Sequence, residues 1–457
     1  MESLWLHLQI ESTSHWYWKE QQLEQDITSV QQATNVLHLE TLPLHISMSV
    51  NRLKIFVSCA MLLCVFSAGA QAHDSCPEPE YLSQWQQGWM DIHTIATGKG
   101  DASFIIMPDG TTMLIDAGDV TGGRFKAPAL PDDSRRPGEW IARYILEFSK
   151  GLPHPQRVDY LWLTHFHEDH MGSASALRPG PYYGICGIME VGEFIGFNHI
   201  VDRAYPSYDY PSAEHMNRSC AKTLEDYIKF VNYQKENNDS HPERFEVGSR
   251  KQFSLQNNPK PYRKSFEVWN VACNLEVAKP SGRGTVKKYP ESLEKIDENS
   301  LSGAIRVKYG NFTYFNGGDI GGSPADERDL ESDIADLIGQ VTVMKANHHG
   351  WKDTCNPYFM WKTRPDVIII PASHINHPWK ATVQRIYDPQ MPGKRQMFAT
   401  CDAAKEQVGP ELWANVQPYF GHIVVRVYEG GKSYQIFVLD AYSKDYRMLY
   451  KSDIVQL

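Results

Sequence analysis

The chain has 457 residues, with 45 Lys+Arg against 55 Asp+Glu, 18 His and 42% apolar residues. That composition is ordinary for a globular protein, and it excludes collagen, low-complexity disorder and a polytopic membrane fold. A formal net charge of −10 argues against broad electrostatic adhesion to DNA or anionic lipid, and the length suits one large domain or two medium ones with a sizeable core.

The first strongly patterned segment begins at Met48. Arg52 and Lys54 precede an apolar run over 55–69, and Ala70-Gln71-Ala72 follows as a small-x-small cleavage signature. The pattern predicts a secretory signal peptide over 48–72, with His73 the first mature residue and the protein periplasmic or secreted. The apolar run is shorter than the roughly 20 residues of a membrane span. Residues 1–47, polar and Gln-rich, are expected to be a non-native extension ahead of the true start. Six cysteines follow the signal. An even count in an exported chain permits disulfides, with isolated buried thiols as the alternative. No Cys-x-x-Cys pair exists to suggest a cysteine zinc site.

After a linker over 73–89 the elements expected in 90–457 follow in order. Three β-rich runs come first, 90–96, 102–107 and 112–116, the last two joined as a hairpin by Pro108-Asp109-Gly110. After Pro137, the spacing of Trp140, Ile141, Tyr144, Ile145 and Phe148 predicts an amphipathic helix. An apolar strand over 158–163 ends at Thr164. Residues 173–298 are rich in Tyr, Pro, Asn and Lys with weak periodicity. They are expected to form a long insertion lying over the mouth of a site, with one helix around Leu224, Tyr227, Ile228 and Val231 and a strand near 266–271. A hairpin over 303–316 turns at Gly310-Asn311. Beyond it come a helix over 327–338, a strand over 341–346, a short helix near 357–362, a strand over 366–370 and a helix around 380–387. Two late strands, 422–428 and 433–439, close the chain. Strands bunched as hairpins in each half, with helices between the halves, predict an α/β sandwich of two packed sheets with helices outside, in αββα order.

The segment Thr164-His165-Phe166-His167-Glu168-Asp169-His170-Met171-Gly172 carries the chemistry. Imidazole and carboxylate suit zinc and similar divalent ions. Alternate residues of extended chain face one way, so His165 and His167 can reach one metal. Asp169 and His170, on the following turn, can reach a second. Further candidates lie where predicted strands end: Asp319, whose carboxylate can bridge two ions, the pair His348-His349, and His377, with His374 three residues earlier.

His-x-His-x-Asp-His after a strand resembles the metallo-β-lactamase fold superfamily. The chain is closer still to the soluble hydrolase domain of ComEC-like DNA-uptake proteins. It shows the same order of motifs: Gly98-Lys99-Gly100-Asp101-Ala102, Pro108-Asp109-Gly110, Leu114-Ile115-Asp116-Ala117-Gly118, Glu298-Asn299-Ser300-Leu301, Gly318-Asp319, His348-His349-Gly350 and His377-Pro378. The resemblance implies that His165 and His167 bind a first metal and Asp169 and His170 a second. Asp319 would bridge, His377 would be the last ligand, and Asp116 the buried carboxylate orienting the ligands. His348, nearer its strand end, is expected to coordinate, leaving His349 and Asp169 as candidate catalytic groups. Many superfamily members place another histidine ligand before the bridging aspartate; here only His199, His215 and His241 fall in that interval, all within 173–298.

Two divalent ions, zinc or manganese, about 3.5–4 Å apart lower the pKa of a bridging water and stabilise an oxyanion, so hydrolysis is the expected reaction. The resemblance favours a phosphodiester, small or polymeric, with nucleic acid as substrate only; without a polytopic segment the chain cannot itself transport DNA. Arg263, Lys264, Arg283, Lys287 and Lys288 are available to meet phosphates, and Tyr182, Tyr183, Phe194 and Phe197 to stack on bases, against solvated charge and local core as the plainer reading. The alternatives are an acyl or amide hydrolase acting on a β-lactam or lactone, and a non-catalytic binding protein of the same fold.

Overall fold

The computed structural model describes residues 79–120, 128–210, 218–281, 284–288, 297–322 and 329–457. The expected extension 1–47, the expected signal peptide 48–72, Cys76, His215 and Arg283 lie outside them. The chain first builds β1 (Met90–Thr94), β2 (Ser103–Ile106), β3 (Thr112–Ile115), β4 (Arg157–Trp162), β5 (Gly196–Asp202) and β6 (His241–Arg244). A second sheet takes β7 (Phe266–Cys273), β8 (Glu276–Ala278), β9 (Thr285–Lys287), β10 (Ala304–Tyr309), β11 (Phe312–Asn316), β12 (Val343–Lys345), β13 (Val367–Ile370) and β14 (Gln396–Ala399). The chain then returns to the first sheet with β15 (His422–Val427), β16 (Ser433–Leu439), β17 (Met448–Lys451) and β18 (Val455–Gln456). The first sheet runs β17-β16-β15-β1-β2-β3-β4-β5-β6 with β18 also on β16; the second runs β14-β13-β12-β11-β10-β7-β8-β9.

Alternation across the pleat makes the layers. Ile105, Met113, Ile115, Tyr160 and Trp162 point into a core between the sheets, where they meet Val307, Tyr314, Val343 and Ile369. Their neighbours Phe104, Ile106, Leu114 and Leu161 point the other way, against helices α1 (Pro137–Phe148), α3 (Gly187–Val191) and α4 (Arg218–Asn237). On the outer face of the second sheet, Phe315, Met344, Ile368 and Ile370 pack against α5 (Leu330–Ile338), α6 (Pro357–Thr363) and α7 (Lys380–Ile386). The result is the αββα sandwich expected from the order of elements. Between α1 and α3 lies α2 (Glu168–Met171), a single turn carrying Asp169 and His170.

In each sheet one half is antiparallel and the other parallel. β3, β4, β5 and β6 pair in parallel, as do β11, β12, β13 and β14. Parallel neighbours need crossovers, and the helices supply them. Ligand-bearing loops gather at the carboxyl ends of such strands. Here those ends release Asp116 from β3, 164–170 from β4, Asp319 from β11, 347–350 from β12 and 371–378 from β13. The sheets meet at this point: Gly303 N donates to Thr164 O at 3.0 Å, and a Cβ on Gly318 would lie 3.1 Å from Thr164 Cβ.

Residues 173–298 depart from the single excursion expected of them. They contribute β5 and β6 to the first sheet and β7, β8 and β9 to the second. Of the aromatics offered for base stacking, Phe197 and Tyr183 are buried, as is Tyr227 on the expected helix. Short strands and an edge strand, His241-Pro242-Glu243-Arg244, with no apolar alternation hid this from periodicity. Cys186, Cys273, Cys355 and Cys401 are free thiols. Among the described residues no helix is long and apolar enough to cross a membrane.

Candidate metal centre

Asp116 organises the first half of the site. It ends β3 with a left-handed backbone (φ 59°), a conformation that costs a non-glycine residue about 1–3 kcal/mol and persists only where surroundings enforce it. Its Oδ1 accepts from Thr164 N at 2.8 Å; its Oδ2 accepts from Thr164 Oγ1 at 2.8 Å and lies 2.8 Å from His170 Nδ1. A proton held on Nδ1 by that carboxylate leaves the His170 Nε2 lone pair facing inward.

The second half comes from the other sheet. His349 Nδ1 lies 3.0 Å from Pro371 O, which again leaves Nε2 facing the centre. His170 Nε2 and His349 Nε2 are 3.3 Å apart. Asp319 Oδ2 sits 3.1 Å from the first and 3.3 Å from the second, and Asp169 Oδ2 is 3.2 Å from His349 Nε2. Asp169, His170, Asp319 and His349 thus each offer a donor atom within 4.8 Å of one another. Two imidazole nitrogens and two carboxylates are a donor set that fits zinc or a similar divalent ion. Asp101, Asp116 and His170 form a second such group. However, His170 faces it with the Nδ1 that Asp116 holds, and Asp101 Oδ2 is 3.0 Å from Lys345 Nζ, so it reads as support behind the first group.

The remaining expected residues arrange around this group. His165 Nε2 lies 3.1 Å from His167 Nδ1, and the His165 ring is 4.2 Å from that of His170. The His377 ring stacks on His349 at 4.5 Å and 13°. His348 takes a different place from the one expected. It faces out of the cluster, Nδ1 3.2 Å from Asp353 Oδ1 and Nε2 3.2 Å from Asn299 Nδ2. Two successive left-handed residues, His348 (φ 46°) and His349 (φ 54°), turn the chain so that the second histidine points inward. Nearness to the strand end was therefore the wrong criterion. His199 and His241 do not approach the cluster; His199 Nδ1 is 2.7 Å from Glu243 Oε1 and its ring stacks on Tyr160.

The electrostatics keep the carboxylates ionised and favour protonated imidazoles at His170 and His349 in the metal-free protein. Burial acts to raise the Asp169 and Asp319 carboxyls, but the facing imidazoles of His170 and His349, and Lys345 beside Asp319, hold both well below the ordinary range. Burial acts against the His349 imidazolium, yet Asp319 and Asp169 outweigh it and raise its pKa to about 9. Asp169, at 19% side-chain exposure, is the cluster member that touches solvent.

Sequence reasoning missed Lys345, Asp101 and Glu331. Lys345, wholly buried, places Nζ 2.9 Å from Gly318 O. Burial disfavours its ammonium, but Asp101 and Asp319 overcome this and keep it charged. A lysine closing the apolar run 341–346 was the available signal. Glu331 accepts from Asn347 Nδ2, Cys355 N and Asn356 N at 2.8, 2.8 and 2.7 Å, tying down both sides of the His348-His349 turn.

Residues 97–199 match the model of the metallo-β-lactamase superfamily. That match supports membership of the metallo-β-lactamase superfamily. It takes in Asp116 and the segment 165–170, the part of the superfamily fold that the first sheet presents. Comparison with curated proteins finds no significant match. Among solved structures, the metallo-β-lactamase fold protein YhfI from Bacillus subtilis is 12% identical, with 68% of this chain and 96% of that one covered and a TM-score of 0.33. The short form of human tRNase Z is 10% identical over 56% of this chain and 77% of that one, with a TM-score of 0.24. Hydrolase AbOPH of the β-lactamase superfamily is 13% identical over 53% and 75%, with a TM-score of 0.25.

Proposed function

We propose that the chain is an exported metal-dependent hydrolase that binds two divalent ions, zinc or manganese, and cleaves phosphodiesters. The observation that carries this reading is the convergence of Asp169, His170, Asp319 and His349 from two sheets, with both histidines held at Nδ1 so that Nε2 faces the centre. These four would hold one ion. His165 and His167 would hold the other, sharing Asp319, with His377 buttressing His349. Bound ions would supply Lewis acidity, lowering the pKa of water and stabilising negative charge on the reacting oxygens. Asp116 and Pro371 O fix the proton positions of the two imidazoles. Asp169, the member open to solvent, is the group placed to take a proton at the mouth. In this reading His349 is a ligand, and His348 belongs to the rim with Asp353 and Asn299.

The order of ComEC-like motifs supports a phosphodiester rather than an acyl substrate. The insertion supports it less than its composition suggested, since Phe197 lies in the core and Lys288 is paired with Asp333 at 2.9 Å. Tyr182, exposed and stacked on Tyr233, still offers a flat face.

The test is elemental analysis of the chain purified from His73, together with parallel assays on bis-p-nitrophenyl phosphate and a chromogenic β-lactam. Close to two ions per chain and turnover of the phosphodiester are expected, with His167→Ala and Asp319→Asn each abolishing turnover while the far-UV spectrum stays intact. A chain that stays metal-free after zinc or manganese reconstitution ends the reading. Turnover of the β-lactam alone makes it an acyl hydrolase, and metal binding without turnover a binding protein. N-terminal sequencing from an envelope fraction should begin at His73; a cytosolic chain retaining 1–72 refutes export.

A further inference from the structure

Asp319 must present one oxygen to the imidazoles of His170 and His349, and a free carboxylate rotates about χ2. Something must hold its other side. Asp319 Oδ2 faces the imidazoles, and Oδ1 faces away, toward Lys345 Nζ at 3.5 Å. The same ammonium donates to Gly318 O at 2.9 Å and pairs with Asp101 Oδ2 at 3.0 Å. It therefore attracts the Asp319 carboxylate by its charge and hydrogen-bonds the carbonyl just before it. Asp319 N donates to Ser302 Oγ at 3.1 Å, which anchors the backbone as well. Lys345 and Asp101 are both about 1% exposed, so solvent does not screen these charges.

We propose that Lys345 is a positioning residue for the metal centre: its ammonium orients Asp319 so that Oδ2 is aimed at a divalent ion held with Asp169, His170 and His349. The proposal rests on the metal reading above and names the residue behind the shared ligand. The competing role is plain charge balance, with Lys345 serving only to neutralise the buried Asp101. The two roles separate when both charges are removed together, because the pair's mutual need then vanishes while the loss at Asp319 remains. Groups behind metal ligands typically contribute 10–100-fold to metal affinity.

The experiment compares the full chain, Asp101→Asn and Asp101→Asn/Lys345→Met, with zinc titrated against a chelating indicator and thermal unfolding followed on the metal-free proteins. The expected result is that the double variant folds with a melting temperature close to that of Asp101→Asn, yet binds zinc 10–100-fold more weakly than Asp101→Asn. Equal zinc affinity in the two variants would overturn the proposal and leave charge balance. A double variant that fails to fold while Asp101→Asn folds would also overturn it, since Lys345 would then serve the fold. Absence of zinc binding by the unaltered chain would overturn the metal reading itself, a result distinct from either of these.

Discussion

At the scale of single residues, the site is built by close approach as much as by ligands. A Cβ on Gly118 would lie 2.0 Å from Asp169 O, and one on Gly100 (φ 147°) 2.4 Å from the same atom. Asp101 N donates to Asp169 O at 2.7 Å and Ala117 N to His170 O at 2.8 Å. Gly100 and Gly118, one from each of the 98–102 and 114–118 motifs, thus clear space for the turn carrying Asp169 and His170. Gly118→Ala should displace that turn and lower metal content at least tenfold with secondary structure retained; elemental analysis beside circular dichroism checks it. The histidines give a second prediction. The metal-free His349 imidazole, raised to about 9, carries a proton at pH 7 that a metal must displace. Zinc binding should therefore release protons at pH 7, and affinity should rise with pH toward 9. Calorimetry in buffers of different ionisation enthalpy reads both effects, and an affinity independent of pH would contradict the assignment.

At the scale of elements, the turn after β12 depends on α5. Glu331 sits in the first turn of that helix, wholly buried, and burial raises its carboxyl to about 7. Its three donors lie at 347, 355 and 356 and have no replacement if it is lost. Each unsatisfied buried donor costs about 1–3 kcal/mol. Glu331→Ala should therefore destabilise the chain by about 3 kcal/mol or more and loosen the His349 turn, seen as a lower denaturant midpoint together with weaker zinc binding. The segment 200–260 gives a contrasting case. A surface lid there would be removable. Instead the segment holds the end of β5, α4 and β6, with Tyr227, Phe230 and Val231 packed on the core beneath the first sheet. Replacing it by a short Gly/Ser loop should abolish cooperative unfolding, which differential scanning calorimetry would show.

For the whole molecule, acid stability should be set far from the metal centre. His93 and His422 are buried on the helical side of the first sheet around Tyr144, whose hydroxyl lies 2.9 Å from His93 Nδ1. Burial lowers both to about 3, with Arg426 adding to the effect at His93 and His93 to that at His422. Both therefore stay neutral in the fold at pH values where the unfolded chain, with an ordinary histidine pKa of about 6.5, takes up a proton. The unfolded state binds more protons between pH 6.5 and 3, so stability is full above 6.5 and declines as pH falls through that window. Glu331, raised to about 7, acts in the opposite direction between about 4.5 and 7, as do the buried carboxyls of Asp119, Glu190 and Asp202, so the histidine contribution is read from the difference between the unaltered chain and a histidine variant. From pH 7 to pH 4.5 the melting temperature of the unaltered chain should fall relative to that of His93→Phe, compared in the same metal state.

What the sequence determined by itself was whatever depends on neighbours along the chain. Period-two alternation in 102–116, 303–316 and 422–439 and the helical spacing after Pro137 yielded two sheets with helices outside, because burial of one face is a local property of each element. Asp169 and His170 were legible because they sit in a consecutive run of donors, and Asp319 because it follows an apolar strand; His377, expected as the last ligand, stacks on His349 instead. The tertiary structure alone decided what depends on partners distant in sequence. His349 rather than His348 enters the cluster because two left-handed residues rotate the turn, and Glu331 and Gly318 hold that turn from other elements. Lys345 gains its place from Asp101, Gly318 and Asp319, the first more than 200 and the others nearly 30 positions away. The strands within 173–298 form because parallel and edge pairing is decided by the sheet already present, since strand preference follows the surface available to pack against more than the strand's own residues.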